Sequence, residues 1–308
     1  MNSIFRILTI ATCLTASAAQ GEWTRTNGPY GGFVRAMVVI GSRFYAGTDD
    51  GLYFSADSGA HWKVGSADLN NSSIFALAFS GTNLFAGTYE QGVYISSDSG
   101  AHWTSANNGL TTTLIYALAF CGQNLFAGGG NGLYRSTNNG QNWSPVDIGL
   151  PSYTVASLTV NCGNMYAGVL GSHVCISIDS GASWQVTNFS GGNGPQSLAV
   201  VGATIVAGTD FGVFVSTNGG INWMPPAVTN KQIRSLHTSG TNIFAGTDKG
   251  IFLSTDVGLN WSEIDSGITN PSALSFVTID KASTLDPMVM VSLFPRTLAR
   301  VGRLQAMA

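Results

Sequence analysis

Five carboxylates recur at one place in a repeated sequence pattern, and they are the residues best suited to acid–base chemistry. Each follows a Gly-Thr pair within two residues, and the set is Asp49, Asp50, Glu90, Asp210 and Asp248. Two carboxylates that face each other across a cleft can hydrolyse a glycosidic bond. Gly-Thr-Asp-x-Gly is equally good turn chemistry, because Asp and Gly favour turn conformations. We therefore expect these acids mainly to form turns, with glycoside hydrolysis as the alternative.

A second recurring position, near the start of an apolar segment, changes its chemistry from copy to copy. Its members are Arg35, Phe75, Tyr116, Ala156, Gln196, Arg234 and Leu274. Two residues later each copy has a large apolar residue, which we assign to the core; these are Met37, Leu77, Leu118, Leu158, Leu198, Leu236 and Phe276. Arginine and aromatic side chains suit stacking on a sugar or anchoring a peptide. We predict that all members of the first set except Ala156 and Leu274 bind a ligand at one mouth of a central channel. The alternative is a half-exposed position that tolerates many residues.

Six copies of one hairpin motif, S-x-[D/N]-x-G-x-x-W, mark the elements that must position both sets. Its third residue is Asp57, Asp98, Asn138, Asp179, Asn218 or Asp256, and its last is Trp62, Trp103, Trp143, Trp184, Trp223 or Trp261. The tryptophans are 41, 40, 41, 39 and 38 residues apart, and a fixed period near forty indicates a propeller or solenoid. The Asp or Asn can accept hydrogen bonds from the turn, the glycine tolerates positive φ, and the tryptophan buries apolar surface. Because Asn replaces Asp twice, we assign the motif a structural role.

One copy of the repeat is predicted to form four antiparallel strands, which is one blade of a β-propeller. In the second copy, residues 74–79 are apolar without a polar face, residues 83–88 and 93–97 follow after turns, and Trp103 opens the fourth strand. A strand that is apolar on both sides is covered on both sides. The repeats leave no linker, so residues 22–279 are expected to be one all-β domain.

The N-terminal stretch around Trp23 resembles a fourth strand without its hairpin motif, and it lies 39 residues before Trp62. Propellers remove exposed strand edges by closing into a ring. We therefore expect this stretch to complete the last blade. The predicted fold is a propeller with six complete four-stranded blades and an incomplete seventh.

The beginning of the chain and its overall charge indicate where the protein acts. Arg6, the apolar run Ile7–Leu14 and the small residues Ala16-Ser17-Ala18 are typical of a secretory signal peptide, here residues 1–18. No later apolar run reaches the length of a membrane span, so the mature protein is expected to be secreted, into a periplasm or the extracellular space, without an integral membrane segment. The net charge is −3 with no basic block, which makes nucleic acid a poor partner.

Cysteine and histidine form no recognisable metal-binding pattern. Cys13 belongs to the signal peptide, and Cys121, Cys162 and Cys175 are an odd number at spacings that fit no zinc motif. We expect all three to be free, buried thiols; the alternative is one disulfide bond between Cys162 and Cys175. No metal and no cofactor is predicted.

The six motifs on tandem four-stranded units resemble the Asp-box, or BNR-repeat, β-propeller superfamily over residues 22 to about 279. Its members include sialidases, xyloglucan-degrading glucanases, sortilin-type receptor domains and photosystem II assembly factors. The even forty-residue copies are most similar in style to the last two groups, which implies a protein or peptide partner. No F/Y-R-I-P motif of a sialidase precedes the first box. We expect a non-catalytic binding or assembly module for a protein, peptide or glycan; the alternative is a sialidase-like or glucanase-like glycoside hydrolase.

Residues 280–308 break the repeat and are predicted to be a degenerate seventh blade or an out-of-frame tail. They contain Arg296, Arg300 and Arg303 but no box. Residues 288–303 can be encoded so that a shifted frame reads GHGVFVSTDSGTSWT, which places a tryptophan at position 301, forty residues after Trp261. Sequencing the gene tests this hypothesis: we expect the repeat in a shifted frame, and its absence would contradict the frame slip.

Overall fold

The computed structural model describes residues 23–25, 28–30, 32–146, 148–151, 154–161, 163–265, 272–279, 288–294 and 300–303. The predicted signal peptide, residues 1–18, and Cys162 lie outside these ranges. Cys121 and Cys175 are free, buried thiols, so the alternative of a Cys162–Cys175 bond is wrong in this structure.

Strands numbered β1 to β27 form seven antiparallel sheets, which we call blades 1 to 7. Blade 1 contains β2 (Val34–Ile40), β3 (Arg43–Thr48), β4 (Gly51–Ser55) and β5 (Lys63–Val64). Blade 2 contains β6 (Ile74–Ser80), β7 (Asn83–Thr88), β8 (Val93–Ser96) and β9 (Thr104–Ser105). Blade 3 contains β10 (Ile115–Cys121), β11 (Asn124–Gly129), β12 (Gly132–Ser136) and β13 (Ser144–Pro145). Blade 4 contains β14 (Val155–Asn161), β15 (Asn164–Val169), β16 (His173–Ser177) and β17 (Gln185–Val186).

Blade 5 contains β18 (Ser197–Val201), β19 (Thr204–Thr209) and β20 (Gly212–Ser216). Blade 6 contains β21 (Ile233–Ser239), β22 (Asn242–Thr247), β23 (Gly250–Ser254) and β24 (Ser262–Glu263). Blade 7 contains β25 (Ser272–Ile279), β26 (Met288–Phe294), β27 (Arg300–Arg303) and β1 (Trp23–Arg25). A short 3₁₀ helix, Ala67–Leu69, links blades 1 and 2.

The first strands of successive blades contact one another all the way round, including β25 against β2. This closed circuit encloses a central channel and confirms the prediction of an all-β propeller. The chain ends also meet as predicted, because β1 pairs with β27 as the fourth strand of blade 7.

The distribution of complete blades differs from the prediction. Blade 7, expected to be incomplete, has four strands, and two of them lie within residues 280–308. Whether that segment is a degenerate blade or an out-of-frame tail stays a prediction. Blade 5 has only three strands, its fourth being reduced to a single bridge between Val213 and Ala227. Pro225 and Pro226 stand where the ladder would continue, and proline has no N–H to donate.

The apolar cores lie between blades rather than within them. Trp103 packs with Tyr45 and Leu52 of the preceding blade, and Trp143 packs with Phe85 and Ala106. Trp184, Trp223 and Trp261 likewise lie in clusters shared with the blade before them. These five box tryptophans therefore join two neighbouring blades, whereas the sequence only suggested packing on their own blade; Trp62 packs with residues of its own blade 1.

A glycine in the second strand of blades 1, 2, 3 and 5 sets how closely the next blade approaches. A Cβ on Gly47 would lie 2.5 Å from Ile74 Cγ2, and a Cβ on Gly87 would lie 2.6 Å from Ile115 Cγ2. The same relation holds between Gly208 and the next inner strand, at 2.6 Å. These distances are shorter than any normal contact, so only glycine leaves room for the β-branched residue that begins the next inner strand.

The Asp-box has the same hydrogen bonds in all six copies. The serine hydroxyl accepts from the backbone N–H of the glycine, and the Asp or Asn accepts from the backbone N–H four residues later; in box 1 these distances are 2.9 Å each, from Gly59 and His61. Asn138 and Asn218 make the same backbone contact as the aspartates, at 2.9 Å. The glycine has positive φ in each box, and so does the residue before it. The contacts made by Asn and Asp alike support the structural role assigned from the sequence.

The side chain two residues after the box glycine caps the carboxylate. His61 and His102 place Nδ1 at 2.6 and 2.7 Å from the carboxylates of Asp57 and Asp98, and Ser183 donates to Asp179 at 2.6 Å. These hydrogen bonds, with those from the backbone, lower the pKa of Asp57 to about 2 and lower the pKa of Asp98 as well.

Substituting Gly87 by alanine tests the packing between blades. We expect Gly87→Ala to destabilise the protein by about 1–3 kcal/mol, because the new methyl group overlaps Ile115. The double variant with Ile115→Ala removes the overlap and should lose less than the sum of the two single changes. Chemical denaturation measures all three. Additive losses would contradict a direct contact.

The pKa of His102 is expected to depend on Asp98. The Asp98 carboxylate raises the pKa of the His102 imidazole by accepting its hydrogen bond and through its charge. Since the folded-state pKa lies above the unfolded one, the stabilising contribution is full below the ordinary histidine pKa and is lost as pH rises through the raised value. In an NMR titration, Asp98→Asn should return the His102 pKa to about 6.5. The Asn of box 3 shows that the hairpin accepts this change, and an unaltered titration would contradict the pairing.

Candidate functional site

A bulge in the inner strands sets the direction of the variable residues. The register of pairing between the first and second strands shifts by one at the same point in blades 1, 2, 3, 4, 6 and 7. The residue passed over is Arg35, Phe75, Tyr116, Ala156, Arg234 or Leu274. In blade 5 the equivalent Gln196 precedes β18 and donates its N–H to Gly208 at 2.9 Å. A β-bulge re-aims the side chain of its extra residue, and this applies here to the bulge residues of blades 1, 2, 3, 4 and 6.

The bulge residues surround one cavity of about 340 Å³, which we call the mouth cavity. It is lined by Arg35, Phe75, Tyr116, Thr154, Ala156, Leu170, Gln196 and Arg234. All five residues predicted to bind a ligand are therefore brought together at one end of the channel. Their role in binding stays a prediction.

The large apolar residues, two positions after each bulge position, lie deeper in the channel than the bulge residues. Met37, Leu77, Leu118, Leu158 and Leu236 are half-buried and line the channel below the mouth cavity, whereas Leu198 and Phe276 are buried. All five half-buried members also pack against the core clusters, which agrees with their assignment to the core, while one side of each faces the channel. The inner strand has no further strand on its channel side, so these side chains keep one side open.

In blades 1, 2 and 5 the residue at the bulge position contacts a turn residue 14 positions later. In blade 1, Arg35 Nε donates to Asp49 Oδ1 at 2.6 Å, and Asp49 Oδ2 also accepts from the backbone N–H of Phe33 at 3.3 Å. Both side chains are partly buried. The acid of this turn thus neutralises and orients the arginine, and is not available as one of a pair of facing carboxylates.

Blades 2 and 3 contribute an aromatic cluster. Phe75 stacks on Tyr89, the turn residue of its own blade, with ring centroids 5.3 Å apart, and meets Tyr116 edge-on at 5.7 Å. The guanidinium of Arg35 lies 4.3 Å from the centroid of Phe75, a cation–π distance. Burial and the neighbouring Tyr89 raise the pKa of the Tyr116 hydroxyl, so it is protonated and able to donate a hydrogen bond at neutral pH.

Blades 5 and 6 contribute polar pairs. Gln196 Nε2 donates to Asp210 Oδ1 at 2.9 Å. Arg234 is exposed and donates from Nη2 to Gln232 Oε1 at 2.6 Å. Asp248 accepts from the backbone N–H of Gln232 at 2.8 Å rather than from the arginine. Within the described residues no carboxylate lies within ion-pair distance of Arg234, so its charge is uncompensated at the mouth.

The remaining acids of the predicted set do not line the mouth cavity. Asp50 and Glu90 are exposed at the tips of their turns. In the part of the chain that the structure describes, no three His, Cys, Asp or Glu side chains come together in a way that could hold a metal ion. Three of the five acids form structural hydrogen bonds or ion pairs, which supports the expectation that they shape the turns.

Sequence reasoning missed two features of this site. It placed the variable residues and the acidic turns on one face, but it did not pair them, although the constant offset of 14 residues is visible in the sequence. It also missed Thr154 and Leu170, which line the cavity in blade 4. Leu170 stands at the turn position that Asp49 holds in blade 1, so aligning the turns of all blades would have found it.

The family model of the BNR/Asp-box repeat matches residues 134–145, which contain the third box. This match agrees with the six boxes observed on the closed ring of blades. The chain is a β-propeller that carries Asp-box repeats. No curated protein matches it at a significant level.

Solved structures similar to this Asp-box propeller share its fold. The extracellular domain of the putative hybrid two component system BT4673 from B. thetaiotaomicron has a TM-score of 0.75 and 19% identity, over 93% of this chain and 40% of that one. YCF48 bound to D1 peptide has a TM-score of 0.70 and 14% identity, over 94% and 97% of the two chains. YCF48 from Cyanidioschyzon merolae gives 0.68 and 14%, over 91% and 98%. The propeller thus spans less than half of the BT4673 domain and nearly the whole of YCF48.

None of the helices in the described ranges is long and apolar enough to cross a lipid bilayer.

Proposed function

We propose that this propeller is a secreted, non-catalytic binding module that holds a peptide segment of a partner protein at its mouth cavity. The observation that carries the proposal is the set of residues at the bulge position, which line the mouth cavity together. One residue from each of blades 1 to 6 lines a common cavity of about 340 Å³, and these residues differ in charge and polarity although the surrounding scaffold repeats. A repeated scaffold with a varied row of side chains is suited to recognising a ligand of mixed chemistry.

The mixture of side chains favours a peptide over a glycan. Sugar rings are commonly bound on an open aromatic face, but Phe75 is covered by the guanidinium of Arg35 and by the stacked ring of Tyr89. The mouth instead offers the guanidinium of Arg234, which no described carboxylate pairs, an amide at Gln196 and an aromatic cluster. A peptide supplies a carboxylate, backbone polar groups and apolar side chains along one chain, which matches these three kinds of group.

Two further observations support this proposal. A structure of similar fold, YCF48, holds a peptide. The predicted signal peptide and the extracellular domain among the similar structures support secretion; mass spectrometry of the exported protein, expected to begin near residue 19, tests that part.

Peptide binding is tested with a displayed library of random heptapeptides on the mature chain. We expect selected peptides to carry an acidic side chain or a free carboxyl terminus, because Arg234 lacks an anionic partner in the described structure. Arg234→Ala should weaken their binding by about tenfold or more, as measured by calorimetry. Because Arg234 is exposed, its replacement should leave the fold intact. Circular dichroism of the variant checks this.

Arg43→Ala is the matched control for that experiment. It removes the same charge from an exposed arginine at the start of β3, at the opposite end of the strand from Asp49 and the mouth cavity. It should leave binding unchanged. Equal effects of the two substitutions, or a library without binders, would contradict the proposal. Turnover of a glycoside by the purified chain would contradict the proposal that this module is non-catalytic.

A further inference from the structure

The ring of bulge residues has a gap at blade 4. The position held by Phe75 and Tyr116 in blades 2 and 3, and by Gln196 in blade 5, is Ala156 in blade 4. The mouth cavity reaches outward over this blade alone, since Thr154 and Leu170 of blade 4 line it together with Ala156. A longer side chain at position 156 would occupy that space. The small residue therefore creates a notch in the wall of the mouth.

The notch is apolar on its described sides. The Thr154 hydroxyl donates to the carbonyl of Gly130 at 3.2 Å. Because that hydrogen bond is made within the protein, Thr154 contributes mainly its methyl group to the notch. Leu170 is 37% exposed. No charged side chain from blade 4 lines the cavity. Among the pairs of bulge and turn residues that the structure describes, Ala156 with Leu170 is the one made of two aliphatic residues.

We infer that the notch formed by Thr154, Ala156 and Leu170 is the specificity pocket of the mouth and takes one large apolar side chain of the bound peptide. This inference rests on the proposed peptide binding. It adds that the peptide carries one large apolar residue as well as the group held by Arg234. Covering Leu170 would remove exposed apolar surface from water, which is the favourable term for this contact.

Filling the notch is the direct test, and the propeller itself shows that the filling residue is tolerated. Phenylalanine and tyrosine occupy the same bulge position in the two preceding blades, so Ala156→Phe is compatible with the strand. Ala156→Ser is the matched control, because it changes the side chain without filling the space. Thermal unfolding should show both variants as stable as the parent chain.

The heptapeptide library is then applied to the parent chain and both variants. Peptides selected by the parent chain should share one large apolar residue, and its replacement by alanine should weaken binding about tenfold or more. Ala156→Phe should bind the parent peptides at least about tenfold more weakly and lose the preference for that residue, whereas Ala156→Ser should keep it. Leu170→Ala, at an exposed site, provides a second test, since a wider notch should favour larger side chains.

The outcomes separate this inference from the proposed function. If no peptide binds the parent chain, the proposed function fails. If peptides bind and depend on Arg234 but Ala156→Phe keeps the same residue preference, the specificity pocket is wrong while peptide binding stands. If the Phe variant unfolds, the Leu170→Ala result decides, and an unchanged preference there overturns the inference.

Discussion

The close approach of one blade to the next through a glycine is the contact on which the ring depends. In blades 1, 2, 3 and 5 the glycine of the second strand lies against the first residue of the next inner strand, with no room for a Cβ. Protein interiors are packed as densely as organic crystals, so this contact fixes the spacing of these blades to their neighbours. The inner strands of all seven sheets then contact one another around a central channel.

This constraint separates the parts of each inner strand that must be constant from the part that can vary. The residue at the start of the strand packs against the preceding glycine, and the residues after the bulge pair regularly with the second strand. The bulge residue leaves both arrangements and turns toward the mouth of the channel. Variation is therefore confined to one position per blade and to the turn residue beside it, as with Arg35 and Asp49 or Phe75 and Tyr89. A binding surface can change on this scaffold without a cost in packing.

Periodicity made most of the fold predictable. The six tryptophans and the apolar strands repeat at nearly fixed intervals, so blade number, strand order and closure by the N-terminal strand followed from local patterns. The three-stranded blade 5 was not predicted, because the effect of two adjacent prolines on a ladder depends on which N–H groups the partner strand needs. The four strands of blade 7 were not predicted either, since the repeat is lost after residue 279 and pairing there is made by long-range contacts.

The membership of the candidate site was also visible in the sequence, but its chemistry was not. Aligning the repeats placed Arg35, Gln196 and Arg234 in one row. It could not tell that Asp49 neutralises the first of these while Arg234 has no described carboxylate partner, because those contacts depend on side-chain geometry. The large apolar row was assigned to the core by composition alone. Its exposure to the channel follows from the strand's position at the inner edge of a sheet.

A nuclear Overhauser measurement between the γ2 methyl group of Ile115 and the α protons of Gly87, in methyl-labelled protein, tests the blade contact most directly. The account predicts a strong cross-peak, with equivalent cross-peaks between Ile74 and Gly47 and between Ile233 and Gly208, because a Cβ on each glycine would lie within 2.6 Å of the methyl carbon. The absence of these cross-peaks in a folded sample would contradict the packing on which the closed ring and its mouth depend.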